Sequence, residues 1–451
     1  MSPIAMARHW RARMDGDRIA SLILRGGFTS LSVRVAGLVL GFISHVMLSR
    51  MLGASNYGLY AIAMGWCMIL VVPAKFGLDH TALRYASIYF DEGQPGAVRA
   101  LMAFSAKILL AAIAIIGIGL SAVLWTGTEA LGLASFHQAP WFILLLGSLA
   151  FLGVFSAFFR AAHRIFLSQF FEQVLRSLLL IALLAFAYVA GPGTSLSDAL
   201  AVTALSAFGA VAAMMMWIRR LLPVGQAATA KTQDHRAWFG LSWPMLSMAL
   251  IQQVMAQIGV ILLGAFSTSQ DAGHYAAAAR LAAFVPFALV ALNAITAPMI
   301  AAAHKREDRS EMHRIARVSA RSAFAFAAIV SLILGLGGET LLRVFGSDFE
   351  SAYPALLVLL AGGLTNAATG SVGFFMTMTG QQVAALICAA CALIVNAALG
   401  LWLIPAHGAI GAAIATAAGV AALNMLQHYL VRSRLGVDTS VLGLPVKTVE
   451  A

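Results

Sequence analysis

The sequence predicts an all-α integral membrane protein with twelve transmembrane helices. Three observations support this prediction. Of the 451 residues, 61% are hydrophobic and only 10% are charged, which leaves too little polar surface to cover a soluble globule of this length. Twelve apolar stretches have about the length of a bilayer, and nearly every Lys and Arg lies in alternate gaps between them. Lipid is therefore the expected solvent of the folded chain.

Each apolar stretch is long enough for a helix that crosses a membrane, which needs about 20 residues. The stretches lack the alternation of barrel strands, and lipid leaves no backbone polar group unpaired, so helices are expected. The first stretch is too long for the hydrophobic part of a signal peptide and is expected to be retained. The predicted spans are residues 27–49, 57–78, 101–124, 140–160, 174–192, 197–218, 240–265, 273–301, 320–341, 352–377, 383–404 and 407–430.

The placement of basic residues predicts the orientation. Of the 29 lysines and arginines, only Arg50 and Arg343 lie in one set of alternate gaps, and only Arg34, Lys107 and Arg280 lie within spans. The others lie in the other set of gaps and in the two terminal segments. By the positive-inside rule, both termini face the cytoplasm, which requires an even number of crossings. This placement also explains the net charge of +11, so no nucleic-acid partner is expected.

A long polar gap near the middle separates the spans into two sets of six. The gap contains Pro223, Gly225 and a run of small residues, as expected for a linker. The predicted domains are a cytoplasmic basic N-tail at 1–26, an N-terminal six-helix bundle at 27–218, a cytoplasmic linker at 219–239, a C-terminal six-helix bundle at 240–431 and a cytoplasmic C-tail at 432–451.

A weak internal repeat supports this division. Residues 52–61 follow the first span and residues 267–276 follow the seventh, and both segments end in Gly-x-Tyr-Ala after a polar cluster. Tyr60 and Tyr275 in the two copies are 215 residues apart. Both copies follow a span that starts from the cytoplasm, so parallel repeats related by an axis along the membrane normal are predicted.

Five residues are candidates for substrate binding: Arg34, Arg50, Arg280, Gln253 and Asn293. Ionisable residues within spans usually face a bundle interior or a wet cavity. Arg280 follows four alanines that leave room for a cavity-lining guanidinium, whereas Arg34, about 10 Å into the first span, can instead snorkel to the headgroups. Arg50 is either an interfacial anchor or a functional charge. Gln253 and Asn293 have interhelical hydrogen bonding as their alternative.

Five further residues are candidates for a gate or cytoplasmic mouth: Lys75, Asp79, Arg84, Arg160 and Arg176. The first three belong to the densest cluster of ionisable groups near a membrane face, where a gating pair of Asp79 with Arg84 is expected. Arg160 and Arg176 flank the short break between the fourth and fifth spans. Ordinary solvated loops with positive-inside charge are the alternative.

Two prolines mark the eighth span as irregular. Pro286 and Pro298 each remove a backbone donor, so a kink or softening of this span is predicted. Bent helices suit a protein that opens alternately to either side of the membrane.

The sequence carries no signature of an enzyme. It has no P-loop, HExxH or GxSxG motif and no long external loop with paired carboxylates. Cys388 and Cys391 have CxxC spacing, but they lie in mid-membrane without an acidic or His companion, so packing is the prediction. Neither catalysis, nor a cofactor, nor a metal site is expected.

Two stretches resemble the polysaccharide transporter family of the MOP (multidrug/oligosaccharidyl-lipid/polysaccharide) flippase superfamily. The first runs from Leu48 to Tyr85 and contains Leu-Gly, Tyr-Gly-Leu-Tyr-Ala and Phe-Gly-Leu-Asp. In the second half, Gly273 to Arg280, Pro298 and the small-residue segment from Gly408 agree with the family pattern. The resemblance covers nearly the whole chain.

This resemblance implies two six-helix bundles around a central cavity, alternately open to each side of the bacterial inner membrane. It implies outward transfer of undecaprenyl-pyrophosphate-linked oligosaccharide for O-antigen, capsule or exopolysaccharide synthesis, through a cavity lined by Arg34, Arg280 and Arg50. The expected partners are this substrate, membrane lipids, a polysaccharide polymerase and assembly proteins. The alternatives are a cation- or proton-coupled exporter of the same superfamily, a membrane polymerase or glycosyltransferase, and a non-transporting scaffold.

Overall fold

A computed structural model describes residues 3–125, 138–191, 195–221 and 235–443. Helices and short connections make up these ranges, which contain no strand. The helices in chain order are α1 (Pro3–Lys75), α2 (Leu78–Asp91), α3 (Pro95–Trp125), α4 (Ala139–Ala161), α5 (Ile165–Gln169), a π-helix (Phe170–Leu175), α6 (Arg176–Ala190), α7 (Leu196–Leu221), α8 (His235–Phe266), α9 (Ser269–Ala282), α10 (Phe287–Lys305), α11 (Arg309–Arg343), a 3-10 helix (Ser347–Ala352), α12 (Tyr353–Thr369), α13 (Val372–Met378) and α14 (Gln382–Leu435).

The predicted all-helical membrane protein is confirmed. Within the described ranges, nine helices are long and apolar enough to cross a membrane, or ten if one bent pair counts as a span. Two of them, α1 and α14, contain a non-helical residue, at Gly53 and at Gly408 respectively. Twelve separate spans and the five domain boundaries stay predictions.

The predicted irregularity at Pro286 is confirmed. The helices α9 and α10 are bent by 49° across a short break, and Pro286 directly precedes α10. The proline has no N–H to continue the helical ladder, so the chain breaks there and restarts. This break lies just beyond Arg280.

Helices extend into two segments that were predicted as tail and linker. The predicted N-tail belongs to α1 from Pro3 onward, and α7 and α8 enter the predicted linker up to Leu221 and from His235. The rest of that linker, 222–234, lies outside the described residues. The predicted C-tail is not free, because Val437 is buried and the Val441 N–H donates to the Ala368 carbonyl at 2.9 Å.

The two copies of the sequence repeat cross each other at the centre of the fold. A Cβ added to Gly58 would overlap the carbonyl oxygen of Ser269, and one added to Gly273 would overlap that of Ala54. Gly58 and Gly273 are 215 residues apart, and so are Ala54 and Ser269. The contact is therefore reciprocal, as expected for equivalent elements around a two-fold axis. The two glycines let the backbones of α1 and α9 approach closely.

Beside this crossing, one aspartate joins α9 to the kink of α14. Asp271 accepts hydrogen bonds from the hydroxyls of Ser267 at 2.6 Å and Thr268 at 2.9 Å, and from the backbone N–H of Ala409. A Cβ on Gly408 would lie 2.8 Å from this carboxylate. The positive φ of 51° at Gly408 also favours glycine there.

Contacts join the first and second halves of the chain at opposite ends of the molecule. At what we call the Arg50 end, the Ser49 hydroxyl donates to the Phe345 carbonyl at 2.9 Å, and Tyr57 packs edge-on against Phe349. At what we call the Trp238 end, the hydroxyls of Thr81 and Ser242 are 2.7 Å apart. These contacts close part of both ends around the central crossing.

Substitution of Gly58 tests the crossing. We expect Gly58→Ala to destabilise the fold by about 3 kcal/mol, because the added methyl meets a backbone carbonyl rather than a flexible side chain. The melting temperature in lipid nanodiscs should fall clearly. Gly119→Ala is the matched control, since a Cβ on this α3 glycine has no neighbour within 4 Å. Equal melting of both variants would contradict the close crossing.

Candidate substrate cavity

A central cavity of about 220 Å³ lies beside the crossing of the two repeats. Side chains from α1, α8 and α9 surround it, and the bend before α10 closes one corner. No Asp or Glu is among the residues that line it: His45, Tyr57, Tyr60, Ala61, Met64, Gly65, Met68, Ala256, Gln257, Val260, Tyr275, Ala276, Ala279, Arg280 and Ala283. The cavity thus has a mixed apolar and polar lining that includes a permanent cation, Arg280.

Arg280 supplies that cation from the second half of the chain. It lies in the last turn of α9, and its side chain is exposed to the cavity although the surrounding helix is largely buried. Its guanidinium interacts electrostatically with the Tyr57 and Tyr60 hydroxyls. The prediction that Arg280 lines a cavity agrees with this position.

Arg176 brings a second guanidinium towards the same space from the first half of the chain. It is the first residue of α6, and it interacts electrostatically with Tyr60, Glu172 and Arg280. Arg176 is not among the residues that line the central cavity, and its place at a cytoplasmic mouth stays a prediction. Its positive charge lies close enough to act on Tyr60 and Arg280 of the cavity wall.

A π-helix directly precedes Arg176 and α6. A π-turn inserts one extra residue and rotates everything that follows, and such turns are frequent at functional sites. It also brings Gln173 against α1, where a Cβ on Gly37 would lie 2.8 Å from the Gln173 Cβ. The preference for this turn was not readable from the apolar pattern.

Hydrogen bonds fix the aromatic wall of the cavity. The Tyr57 hydroxyl lies 3.1 Å from the His45 Nδ1. The two repeat tyrosines are held alike, with the Tyr60 hydroxyl 3.2 Å from the Thr203 Oγ1 and the Tyr275 hydroxyl 3.0 Å from the Thr416 Oγ1. Sequence reasoning used these tyrosines as a repeat signal but did not assign them to the site.

Arg50 does not line the central cavity. Its Nε donates to the Val344 carbonyl at 2.7 Å, and it borders a separate cleft of about 950 Å³ at the Arg50 end. Arg50 thus contacts the second half of the chain, and its role in substrate binding stays a prediction. The physical reason for this contact is position: Arg50 lies at the end of the first span, where α1 meets the end of α11.

The other three substrate candidates also lie away from this lining. Arg34 is exposed on α1, one turn before Gly37. Gln253 does not line the central cavity, where Gln257 lies instead. It also does not line a second cavity next to it, where Gln252 lies instead. Asn293 is buried, and its Oδ1 has no hydrogen-bond partner among the described residues.

The expected pair of Asp79 with Arg84 is wrong. The Asp79 Oδ2 accepts from the Lys75 Nζ at 3.1 Å, while Arg84 is exposed on α2 and forms no ion pair within the described ranges. Residues five apart in a helix point about 140° apart, so Asp79 and Arg84 do not face each other. Lys75 also packs against α4, where a Cβ on Gly153 would lie 3.0 Å from its Cδ.

Arg160 belongs to a small network next to the π-helix. Its Nη1 donates to the Ser156 and Ser168 hydroxyls at 2.9 and 3.2 Å, and lies 3.8 Å from the Glu172 Oε2. Because Glu172 also interacts with Arg176, this carboxylate lies between two arginines. The network positions the π-helix and orders the cavity edge.

Solved structures with this fold define the class of protein. An inward-facing multidrug resistance MATE family transporter of the MOP superfamily has a TM-score of 0.75 and 14% identity, covering 91% of this chain and 98% of its own. The lipid II flippase MurJ in an inward closed conformation has a TM-score of 0.69 and 12% identity, covering 89% and 87%. A MOP superfamily transporter from Pyrococcus furiosus with a binding pocket of reverse polarity has 0.64 and 14%, covering 92% and 95%. The chain thus has the fold of a MOP superfamily transporter.

The family follows from the sequence itself. Residues 23–304, more than half of the chain, match the family described as polysaccharide biosynthesis protein. The chain belongs to this family, as the resemblance predicted. A comparison with curated proteins gave no significant match.

The Lys75–Asp79 pair predicts a pH-dependent stability. Burial acts to raise the pKa of Asp79, but Lys75 and His80 outweigh it and hold that pKa below its ordinary value. A lowered carboxyl pKa stabilises the fold above the unfolded-state pKa of about 4, and this contribution is lost as the pH falls through the folded-state pKa. We expect Asp79→Asn to lose about 1 kcal/mol at pH 7.

Thermal unfolding in nanodiscs between pH 7 and pH 3 checks this expectation. The gap between wild type and Asp79→Asn should narrow at the acidic end. Asp91→Asn, at an exposed site at the end of α2, serves as the control and should show no gap. A gap for Asp79→Asn that is constant with pH would contradict the ion pair.

Proposed function

We propose that this protein is a flippase for undecaprenyl-pyrophosphate-linked oligosaccharides. It moves repeat units from the cytoplasmic to the periplasmic leaflet for O-antigen, capsule or exopolysaccharide synthesis. The observation that supports this proposal is the central cavity, which is lined by the Arg280 guanidinium and has no carboxylate among its described lining residues. Arg176 adds a second positive charge in the surroundings of the cavity. Membership in the polysaccharide biosynthesis family adds independent support.

The electrostatics fit a pyrophosphate head group. A lipid-linked pyrophosphate brings about two negative charges into a layer of low dielectric, where losing hydration is expensive. Guanidinium groups replace that hydration with charge-assisted, often bidentate, hydrogen bonds to phosphate oxygens. The lipid tail remains in the bilayer while the head group enters the cavity.

The proposed topology has twelve spans with both termini in the cytoplasm. The 45-residue candidate span of α1, Leu31–Lys75, and the 54 residues of α14 are far longer than one crossing requires. Counting two spans in each, divided at Gly53 and Gly408, brings the ten candidates to twelve. In this orientation the Arg50 end faces the periplasm of a bacterial inner membrane, and its contacts must open to release the substrate.

A multidrug exporter is the second candidate, because one neighbour with this fold is a multidrug resistance transporter. An exporter of cationic drugs is expected to carry carboxylates in its cavity, whereas this cavity carries Arg280. A polymerase or a scaffold would not need an arginine in this cavity. A polysaccharide polymerase and assembly proteins are instead proposed as partners that receive the flipped substrate.

Flipping in proteoliposomes tests the function directly. The probe is undecaprenyl pyrophosphate carrying a fluorescent oligosaccharide. We expect Arg280→Ala to slow flipping by about 10- to 100-fold, because it loses a charge-assisted hydrogen bond to phosphate. Arg176→Ala should slow flipping less, because Arg176 acts on the cavity through its charge and does not line it. Arg280→Lys should be intermediate, since it keeps the charge but not the fork.

Arg306→Gln serves as the matched control, because this arginine is exposed after α10. Each variant must elute as a single folded species. If both arginine variants flip the probe at the wild-type rate, the cationic cavity is rejected. Absence of wild-type flipping, with export of a cationic dye instead, would favour the exporter.

The membrane potential should drive the flux. An inside-negative potential favours outward movement of an anion by about 2.3 kcal/mol per charge per 100 mV. It also draws an empty cationic cavity back towards the cytoplasm. We expect an imposed potassium diffusion potential to raise the initial flipping rate and its reversal to lower it. Equal rates at both polarities would reject this coupling.

A further inference from the structure

A second cavity, of about 570 Å³, lies among α8, α13 and α14 in the second half of the chain. Its polar groups are neutral: the amides of Gln252 and Gln427 and the hydroxyls of Thr377 and Thr416. Phe374 contributes an aromatic ring, and no charged residue lines the cavity. The Thr416 hydroxyl already pairs with that of Tyr275 and the Thr377 hydroxyl donates to the Gly373 carbonyl, so the two amides are the groups left for a ligand.

Gln427 is the most informative of them. Its side chain is 8% exposed, and its amide makes no hydrogen bond to any residue of the described ranges. Its amide atoms are not among the fully buried unpaired polar atoms of the described residues, so they are open to the cavity that Gln427 lines, where a ligand or water can bond to them. The amide of Gln252, on the opposite wall, is also without a partner in the described part of the chain.

The second cavity adjoins the central one. Ala256 lines both cavities. The hydroxyl of Thr416, in the second cavity, lies 3.0 Å from that of Tyr275, in the central cavity. A ligand that filled the central cavity would therefore extend past Ala256 into the second one.

The sizes of the cavities make such an extension necessary. Sites for small molecules commonly enclose about 300–1,000 Å³, so the central cavity, at about 220 Å³, is too small for an oligosaccharide pyrophosphate. The second cavity falls within that range. The charged and the uncharged parts of one head group thus match two adjoining spaces.

We propose that the second cavity binds neutral sugar residues of the translocated head group; this assignment rests on the proposed flippase function. A carboxamide donates and accepts hydrogen bonds, as a sugar hydroxyl does, so Gln252 and Gln427 complement a polyhydroxylated ligand. The face of Phe374 fits the C–H face of a sugar ring. The absence of charge disfavours an anion or a metal ion in this cavity.

Sugar binding is measured on the full-length protein in lipid nanodiscs, which avoids maltoside detergents. The probes are neutral di- and trisaccharides of glucose, galactose and N-acetylglucosamine, followed by saturation-transfer NMR. We expect wild type to bind at least one sugar, and Gln427→Leu to weaken that binding by about fivefold, the equivalent of one neutral hydrogen bond. The Gln252→Leu/Gln427→Leu double variant should show no signal.

Two matched variants make the result specific. Gln270→Leu changes an exposed glutamine at the start of α9 and should bind sugar as wild type does. Arg280→Ala should also keep sugar binding while it loses flipping. Because the Gln427 amide makes no hydrogen bond to the described residues, Gln427→Leu removes no hydrogen bond of the fold and should melt close to wild type.

The outcomes separate this proposal from the proposed function. No signal from any sugar of the panel, or a signal that survives in the double variant, would overturn the sugar site and indicate a cavity that holds water only. Sugar binding that depends on Gln427 without any flipping would keep the site and reject the flippase. Flipping by wild type without sugar binding would keep the flippase and reject the site.

Discussion

The reciprocal contact of Gly58 with Ser269 and of Gly273 with Ala54 is the constraint on which the rest of the structure depends. It holds α1 and α9 backbone to backbone, so no side chain separates the two halves of the chain at this point. Helices in lipid associate through close packing of small residues, because no hydrophobic gain drives them together. The residues of α1 and α9 that line the central cavity lie at fixed distances along their helices from this contact.

The central cavity follows from that crossing. Tyr60 and Tyr275 lie two residues beyond the two glycines and bond to Thr203 and Thr416 respectively. Arg280 lies two turns beyond Gly273, where α9 is about to end and the space between the helices has opened. A cation in this place avoids dehydration because its side chain stays exposed to the cavity. Glu172 moderates the second cation, Arg176, without lining the cavity itself.

The sequence predicted the helical membrane fold and the position of Arg280, because apolar length and the expense of a buried charge are both readable from composition. It did not reveal the π-helix that precedes Arg176, because a π-turn has no signal in the apolar pattern. It also did not reveal the bond from Arg50 to the Val344 carbonyl, a contact between residues distant in sequence. In the sequence, Gln427 resembles an amide that packs between helices. The structure shows that its amide has no hydrogen-bond partner among the described residues.

The two halves share a repeat but differ in what they offer a ligand. At the repeat offset of 215 residues, Gln252 corresponds to Gly37, and Gln427 corresponds to Ala212. In the first half, Gln173 of the π-helix packs against Gly37, so the equivalent position is filled by protein. In the second half, Gln252 instead faces an open cavity. The π-helix thus fills the first-half counterpart of the Gln252 position, so the symmetric framework presents the cavity cation Arg280 and the neutral amides from the second half. A head group with one charged end and one neutral end has the same asymmetry.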